Sequence, residues 1–268
     1  MSNKNFESFF VDMSVHWYAD KVGENLEQHG VCTFYIWEKA GLVRLIHEIG
    51  SSVKHAGTEQ DGIMTIFPGL SREKKWGGNG GAYGRDVLPF HTDGKWISEC
   101  LWPNWDKRYG PADILILHAQ QIVKPKIAVP TMCDGRALYS DLESSHGEIL
   151  RYLLSSEAIR GYTTLPDHTY SWPLIQMIRW RIALRLDPDW CGHWPGWYLE
   201  GFTEIMRRNT FEIILHTGDG YILDNRRMLH GRWPIWDDNP RTLHHTLVYP
   251  EGHTPIGKHI FPYSLVQS

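Results

Sequence analysis

The stretch Leu88-Pro89-Phe90-His91-Thr92-Asp93-Gly94 places an imidazole and a carboxylate two residues apart at the end of an apolar run. On an extended strand, side chains at i and i+2 project from the same face, so His91 and Asp93 point the same way. A second stretch, Asp224-Asn225-Arg226-Arg227-Met228-Leu229-His230-Gly231-Arg232, supplies another histidine, and Arg241 follows eleven residues after it. Two histidines and one carboxylate are the ligand face of non-haem Fe(II) oxygenases. Because the chain holds 15 histidines, the pattern alone leaves a metal site and a chance pairing both open.

The order of these motifs resembles the taurine dioxygenase (TauD/TfdA-type) branch of the Fe(II)/2-oxoglutarate oxygenases. The similarity runs from about residue 8 to about residue 250 and is most specific in the distal block that ends in His-Gly-Arg, together with Arg241. The resemblance implies a mainly β chain with helices: a double-stranded β-helix (jelly-roll) core flanked by N-terminal and inserted helices. One domain is expected over residues 1–268. Many short apolar runs with turn signals between them also favour a β-sandwich or barrel.

The resemblance also assigns roles. It implies an Fe(II) site, at which catalysis takes place, with three ligands: His91, Asp93 and His230. Arg241 is expected to bind the far carboxylate of 2-oxoglutarate through two parallel hydrogen bonds, with Arg232 as the alternative. Thr131 is expected to hydrogen-bond the same carboxylate, although Val129-Pro130 stands where the family has two glycines.

The implied reaction consumes dioxygen and 2-oxoglutarate, releases succinate and CO2, and oxidises an unactivated C–H bond of a small molecule by hydroxylation, desaturation or rearrangement. Asp93 disfavours halogenation, since halogenases of the superfamily have Gly or Ala there. His245 stands where sulfonate dioxygenases have a second arginine, which disfavours taurine-like substrates. An amino-acid-derived or natural-product metabolite, including an isonitrile, is the expected substrate. The expected substrate contacts are Asn79, Tyr83, Arg85, Asp86 and His245.

Other functions remain open at this point. One alternative is a cupin-type non-haem iron oxygenase that does not use 2-oxoglutarate. Another is a non-catalytic jelly-roll protein that binds a small ligand. A zinc hydrolase is a third, but it has no need for an arginine in the register of Arg241.

Composition gives no reason to expect several classes of partner. The net charge of −4 gives no reason to expect nucleic acid or an anionic membrane surface. No window approaches 18 consecutive apolar residues, so no membrane span is expected. The four cysteines form no Cys-x-x-Cys pair, which is typical of reduced thiols in a cytoplasmic protein. The oligomeric state is left open.

Hydrophobic periodicity predicts the elements that position these residues. Helices are predicted over 14–28, 42–49, 141–159 and 202–209. Strands are predicted over 31–37, 114–123, 174–186, 211–216, 221–223 and 241–249. The strands 211–216 and 221–223 are expected to form a hairpin around Thr217-Gly218-Asp219-Gly220. In the last strand, period two places Arg241, Leu243, His245 and Leu247 on one face.

Overall fold

The structure of the protein is a computed structural model. It describes residues 6–14, 18–54, 58–67, 87–93, 112–162, 169–178, 181–186, 194–235 and 240–260.

Two antiparallel sheets form the centre of the described chain. The strands of the larger sheet are β1 (Val31–Tyr35), β2 (Gly50–Ser52), β3 (Met64–Ile66), β5 (Ile114–Ile122), β12 (Asp219–Asp224) and β14 (Arg241–Pro250). Their order is β1-β12-β5-β14-β2, and β3 also pairs with β14. The long strands β5 and β14 pair along most of their length, so the middle of this sheet is continuous.

The strands of the smaller sheet are β4 (Leu88–His91), β6 (Pro130–Asp134), β11 (Thr210–Glu212) and β13 (Met228–Arg232). Their order is β11-β6-β13-β4. Two further antiparallel pairs lie outside the two sheets: β7 (Ile159–Tyr162) with β8 (Thr169–Trp172), and β9 (Ile175–Ile178) with β10 (Arg181–Leu184).

The two sheets pack face to face through one apolar cluster. Leu115, Leu223 and Leu247 from the larger sheet pack there with Met132 and Met228 from the smaller sheet. The alternate residues of the same strands point outward, because successive side chains of a strand project from opposite faces. This arrangement is the jelly-roll core that the sequence predicted, and it defines an inner face on each sheet.

Helices cover both outer faces. On the larger sheet, α1 (Tyr18–His29), α2 (Lys39–Ile49) and α6 (Gly257–Ile260) pack through a cluster that includes Ile116 and Ile222. On the smaller sheet, α3 (Gly135–Ser145), α4 (Gly147–Leu153) and α5 (Gly196–Arg208) pack through a second cluster with Cys133 and Leu229. In the described segments, no helix combines the length and apolar character that a bilayer span requires.

The predicted hairpin around Thr217-Gly218-Asp219-Gly220 is wrong. β11 pairs with β6 in the smaller sheet, whereas β12 pairs with β1 and β5 in the larger one. The chain therefore crosses between the sheets over residues 213–218. Short separation and Gly-rich turn chemistry favour a hairpin locally, but the backbone of each strand is hydrogen-bonded in a different sheet, and the two strands face each other across the inner cluster.

A buried arginine anchors the turn between β12 and β13. The side chain of Arg227 is 4% exposed and forms an ion pair with Asp134, with Nη2 2.6 Å from Oδ2. It also donates to the carbonyl oxygens of Leu26, Glu27 and Gln28 at the end of α1. Carbonyl groups in the last turn of a helix have no partner within the helix, so this arginine satisfies them and fixes α1 to the turn.

Candidate metal centre

Two neighbouring strands of the smaller sheet bring the predicted histidines together. His91 ends β4 and is paired directly with His230 of β13, so both imidazoles project from the inner face. Their ring centroids are 4.4 Å apart. Asp93 follows two residues later, and the ligand atoms of His91, Asp93 and His230 all lie within 4.8 Å of one another. The structure therefore brings these three side chains to one point.

Asn225 fixes the backbone that carries Asp93. Its Oδ1 accepts from the backbone N–H of Asp93, and its Nδ2 donates to the carbonyl oxygens of Asp93 and Ala112, each at 3.0 Å. The neighbouring Thr92 is tied to Leu186, whose carbonyl accepts from the Thr92 N–H at 3.0 Å. The backbone of Thr92 and Asp93 is thus held by two separate segments of the chain, although Asp93 lies beyond the end of β4.

The rings of His91 and His230 differ in their hydrogen-bond partners. Nδ1 of His91 lies 2.8 Å from the carbonyl oxygen of Pro89, which can only accept, so Nδ1 carries the proton. Its Nε2 is then left with a lone pair, as a metal ligand requires. In His230, Nδ1 is buried and has no hydrogen-bond partner among the described residues.

Electrostatics favour a charged Asp93 carboxylate and a neutral His230. Burial raises the pKa of Asp93, but its interactions with His230, His245 and His91 outweigh that effect and hold the pKa well below its ordinary value. Burial, followed by the neighbouring His91, lowers the pKa of His230. A carboxylate with neutral imidazoles is the donor set that a divalent transition metal binds.

Arg241 lies at the start of β14, and its side chain is 5% exposed. Its Nη1 donates to the carbonyl oxygen of Ala128 at 3.4 Å, while Nε is buried without a hydrogen-bond partner in the described part of the chain. Burial, and then the charge of Arg232, lower the pKa of Arg241 to about 9, so the side chain is still a cation at neutral pH.

A cavity of about 290 Å³ lies beside this guanidinium. Its lining is apolar apart from Arg241 and comprises Leu117, Ile122, Pro125, Ile127, Ala128, Pro130, Leu215 and Leu243. Apolar walls around one buried cation suit an anion that carries a short aliphatic chain. Leu117 is also the direct cross-strand neighbour of His245, so one wall of this cavity lies next to His245 on the same sheet.

The structure places Thr131 on the wrong face for its predicted role. Thr131 is paired with Gly231, and its Oγ1 lies 3.1 Å from the position that a Cβ on that glycine would take. The neighbouring Met132, paired with His230, packs into the inner cluster. Alternation along β6 therefore points Thr131 outward and Pro130 inward, and proline offers no hydroxyl group to a carboxylate.

A tyrosine that the sequence did not single out lies on the inner face. Tyr221 is 2% exposed, belongs to the inner cluster, and is paired with Leu117 across β12 and β5. Burial, and then the negative charge of Asp93, raise its pKa, while the positive charge of Arg241 opposes that shift. The phenol is thus within the electrostatic range of both the carboxylate and the guanidinium.

The remaining predicted residues divide into two groups. His245 lies in the centre, with Nε2 2.8 Å from Oδ2 of Asp93. Arg232 is buried, and its Nη1 donates to the carbonyl oxygen of Trp233 at 2.9 Å. The predicted substrate contacts Asn79, Tyr83, Arg85 and Asp86 lie outside the described residues.

Comparison with known proteins gives a likeness in fold. No protein-family model matches the sequence, and no curated protein matches it either. Among solved structures, the non-heme iron oxygenase OrfP in complex with Fe and alpha-ketoglutaric acid is similar, with 20% identity and a TM-score of 0.60. That match covers 87% of this chain and 82% of the other.

A second solved structure is an asparagine oxygenase in complex with Fe(II), 2S,3S-3-hydroxyasparagine and succinate. It has 13% identity and a TM-score of 0.58, over 90% of this chain and 93% of the other. At these identities the comparison establishes the fold that the chain shares with these oxygenases. The chemistry has to be inferred from the residues of the centre itself.

Proposed function

We propose that the protein is an Fe(II)/2-oxoglutarate-dependent oxygenase that oxidises an unactivated C–H bond of a small molecule, with release of succinate and CO2. The convergence of two imidazoles and one carboxylate within 4.8 Å carries this proposal. A buried cation in an apolar cavity beside them supports it. Three protein ligands on one side leave positions on iron open for a chelating co-substrate and dioxygen.

In this proposal each residue has a defined task. His91, Asp93 and His230 bind Fe(II), which supplies the oxidising chemistry when iron and 2-oxoglutarate are bound. Proton placement at Nδ1 of His91 leaves Nε2 free for the metal. Arg241 binds the far carboxylate of 2-oxoglutarate, and the apolar cavity walls exclude water from that ion pair. With Thr131 on the outer face, Tyr221, whose phenol is influenced by the charge of Arg241, is the residue proposed to assist Arg241.

We further propose an amino acid or an amino-acid derivative as substrate. OrfP has been crystallised with (3S)-hydroxy-L-Arg, and the asparagine oxygenase with 3-hydroxyasparagine. The shared fold makes free amino acids the first compounds to test. His245 replaces the second arginine of sulfonate dioxygenases, which still argues against taurine.

The test is an anaerobic titration of the metal-free protein, first with Fe(II) and then with 2-oxoglutarate. The expected result is the weak visible absorption band of an iron–2-oxoglutarate chelate. Binding of iron without that band would favour the cupin-type alternative. Absence of iron binding would refute the metal assignment and favour the non-catalytic ligand-binding alternative. Succinate release with amino acids, and then with isonitriles, would identify the substrate.

Matched variants distinguish the loss of a metal ligand from the general effect of replacing a histidine. His91→Ala is expected to abolish iron binding and turnover. His253→Ala is the control, because that side chain is 81% exposed and contacts only a surface glutamate among the described residues. Retained iron binding in His91→Ala, with the control unchanged, would contradict the proposal.

Three broader inferences accompany this function. We place the protein in the TauD/TfdA-type branch on its motif order and propose a single domain over residues 1–268. We also propose a cytoplasmic location, which the free, buried thiols of Cys32 and Cys133 support. Limited proteolysis tests the single domain, since a stable smaller fragment that retains only one sheet would contradict it.

A further inference from the structure

His245 contacts the proposed iron ligand without belonging to the ligand cluster. Its Nε2 lies 2.8 Å from Oδ2 of Asp93, the shortest of the three histidine contacts to that carboxylate. The other two are 3.4 Å from His91 to Oδ1 and 3.3 Å from His230 to Oδ2. A distance of 2.8 Å is that of a charge-assisted N–H···O hydrogen bond.

The backbone around His245 is held on both sides. In the middle of β14, His245 is paired with Leu117 of β5 and with Met64 of β3. The side chain is buried, at 9% exposure, and projects from the inner face. A ring on such a support has a fixed direction, so it can fix the orientation of a group that it contacts.

We infer that His245 is a positioning residue that donates from Nε2 to Oδ2 of Asp93 and so determines which carboxylate oxygen faces the metal. This inference rests on the proposed function. Hydrogen bonding to Oδ2 leaves Oδ1 as the metal-facing oxygen and keeps the carboxylate monodentate. A bidentate carboxylate would occupy a coordination position that the co-substrate and dioxygen need.

The environment of Nδ1, the second ring nitrogen of His245, indicates that this residue has a functional role. With the proton on Nε2, Nδ1 is an acceptor, and it is buried without a hydrogen-bond partner among the described residues. An unsatisfied buried polar atom reduces stability, so stability of the fold alone does not favour histidine at this position. Since Nε2 is engaged by Asp93, only Nδ1 is available for the substrate contact that the sequence predicted.

Three variants test the inference. His245→Phe preserves the ring and removes the donor, whereas His245→Gln preserves a side-chain N–H of similar reach. His244→Asn is the matched control, because His244 is the adjacent residue and contacts His118 on the opposite face of the sheet. The readout is the dissociation constant for Co(II) or Fe(II) in the absence of 2-oxoglutarate, with urea unfolding as the test of folding.

The expected result is a dissociation constant raised about 10- to 100-fold in His245→Phe, as is typical when a hydrogen-bond partner of a metal ligand is removed. His245→Gln and His244→Asn are expected to stay within about 3-fold of the wild type. The Co(II) absorption spectrum should keep its ligand-field band positions in His245→Gln and change in His245→Phe.

Four outcomes would overturn the inference. Equal affinity in His245→Phe and the wild type removes any role in positioning. A loss in His245→Gln as large as in His245→Phe shows that donation is not the cause, and this comparison stands even if the phenylalanine variant does not fold. Complete loss of binding in both, as in Asp93→Ala, identifies His245 as a ligand itself. If the wild type binds no metal, the proposed function fails as well, which distinguishes that failure from the first three.

Discussion

Replacing Asn225 most directly tests how the backbone at Asp93 is held in place. Its side chain is 1% exposed and makes three hydrogen bonds of 3.0 Å, two to the backbone of Asp93 and one to the carbonyl of Ala112. Asn225→Ala leaves all three backbone groups without these partners. Water can reach the two groups at Asp93 in part, whereas the Ala112 carbonyl is buried.

The magnitude follows from these environments. A lost hydrogen bond costs about 0.5–1.5 kcal/mol where water can replace it, and about 1–3 kcal/mol where a buried group is left unsatisfied. Two bonds of the first kind and one of the second give a loss of about 2–6 kcal/mol in the free energy of unfolding. We expect a value near the middle, about 4 kcal/mol, together with weaker metal binding because Asp93 is no longer held.

Urea unfolding of the metal-free protein measures the first effect, and Co(II) titration measures the second. Asn209→Ala is the control, since its side chain binds Asp141 and a helix carbonyl far from the centre. That variant is expected to lose about 1 kcal/mol and to bind metal as the wild type does. Asn225→Ala within about 1 kcal/mol of the wild type, with unchanged metal affinity, would refute the reasoning.

Three further predictions concern other parts of the chain. Arg241→Ala should raise the dissociation constant for 2-oxoglutarate by about 30- to 4,000-fold, the equivalent of about 2–5 kcal/mol; an unchanged constant, read from the chelate band, would contradict the proposed role. Arg227→Met should cost about 3–5 kcal/mol in urea unfolding, because it removes the charged partner of the partly buried Asp134 and the donor to three carbonyl groups at the end of α1. The exposed control Arg207→Met should cost less than about 1 kcal/mol, and equal losses would contradict the explanation. Burial, and then His118, lower the pKa of His244 to about 4, below the ordinary value of 6.5. On acidification His244 is therefore protonated in the unfolded chain before it is protonated in the folded protein. The free energy of unfolding of the metal-free protein should thus fall between pH 6.5 and 4, by at most about 3 kcal/mol from this group. His244→Asn should show a shallower fall, and an identical pH profile would contradict it.

The shared direction of His91 and Asp93 could be predicted because it depends on residue type and local spacing, whereas the convergence of His230 with them was expected only from the family resemblance. Side chains at i and i+2 of an extended segment share a face whatever the rest of the fold does. Period two in the last strand likewise predicted that Arg241 and His245 share the inner face, and their surroundings agree. These inferences need no knowledge of which strands pair.

The orientation of Thr131, in contrast, depends on which residues of β6 and β13 are paired. A shift of one residue in register moves a side chain to the opposite face of its sheet. The register of β6 against β13 sets Pro130 and Met132 inward and Thr131 outward. A motif match tolerates a shift of one position, but a strand does not, so the motif alone could not predict which face of β6 carries Thr131.

Helix boundaries were missed for a similar reason. The sequence predicted a helix from residue 141, whereas α3 begins at Gly135. Asp134 caps it by accepting from the backbone N–H of Arg136 at 3.0 Å. A glycine at the first position weakened the helical pattern, and the compensating cap is visible only once the backbone is known.

The centre is divided between the two sheets, and this division explains why its parts are so far apart in sequence. The smaller sheet provides His91 and His230, while the larger sheet provides His245 and Arg241. The Asp93 carboxylate is contacted from both, by histidines of β4 and β13 on one side and of β14 on the other. The distance between the sheets is set by the apolar inner cluster, whose packed side chains cannot be compressed or separated without cost. The geometry of the proposed iron site therefore depends on core residues that touch no ligand, because they hold its two halves at a fixed separation.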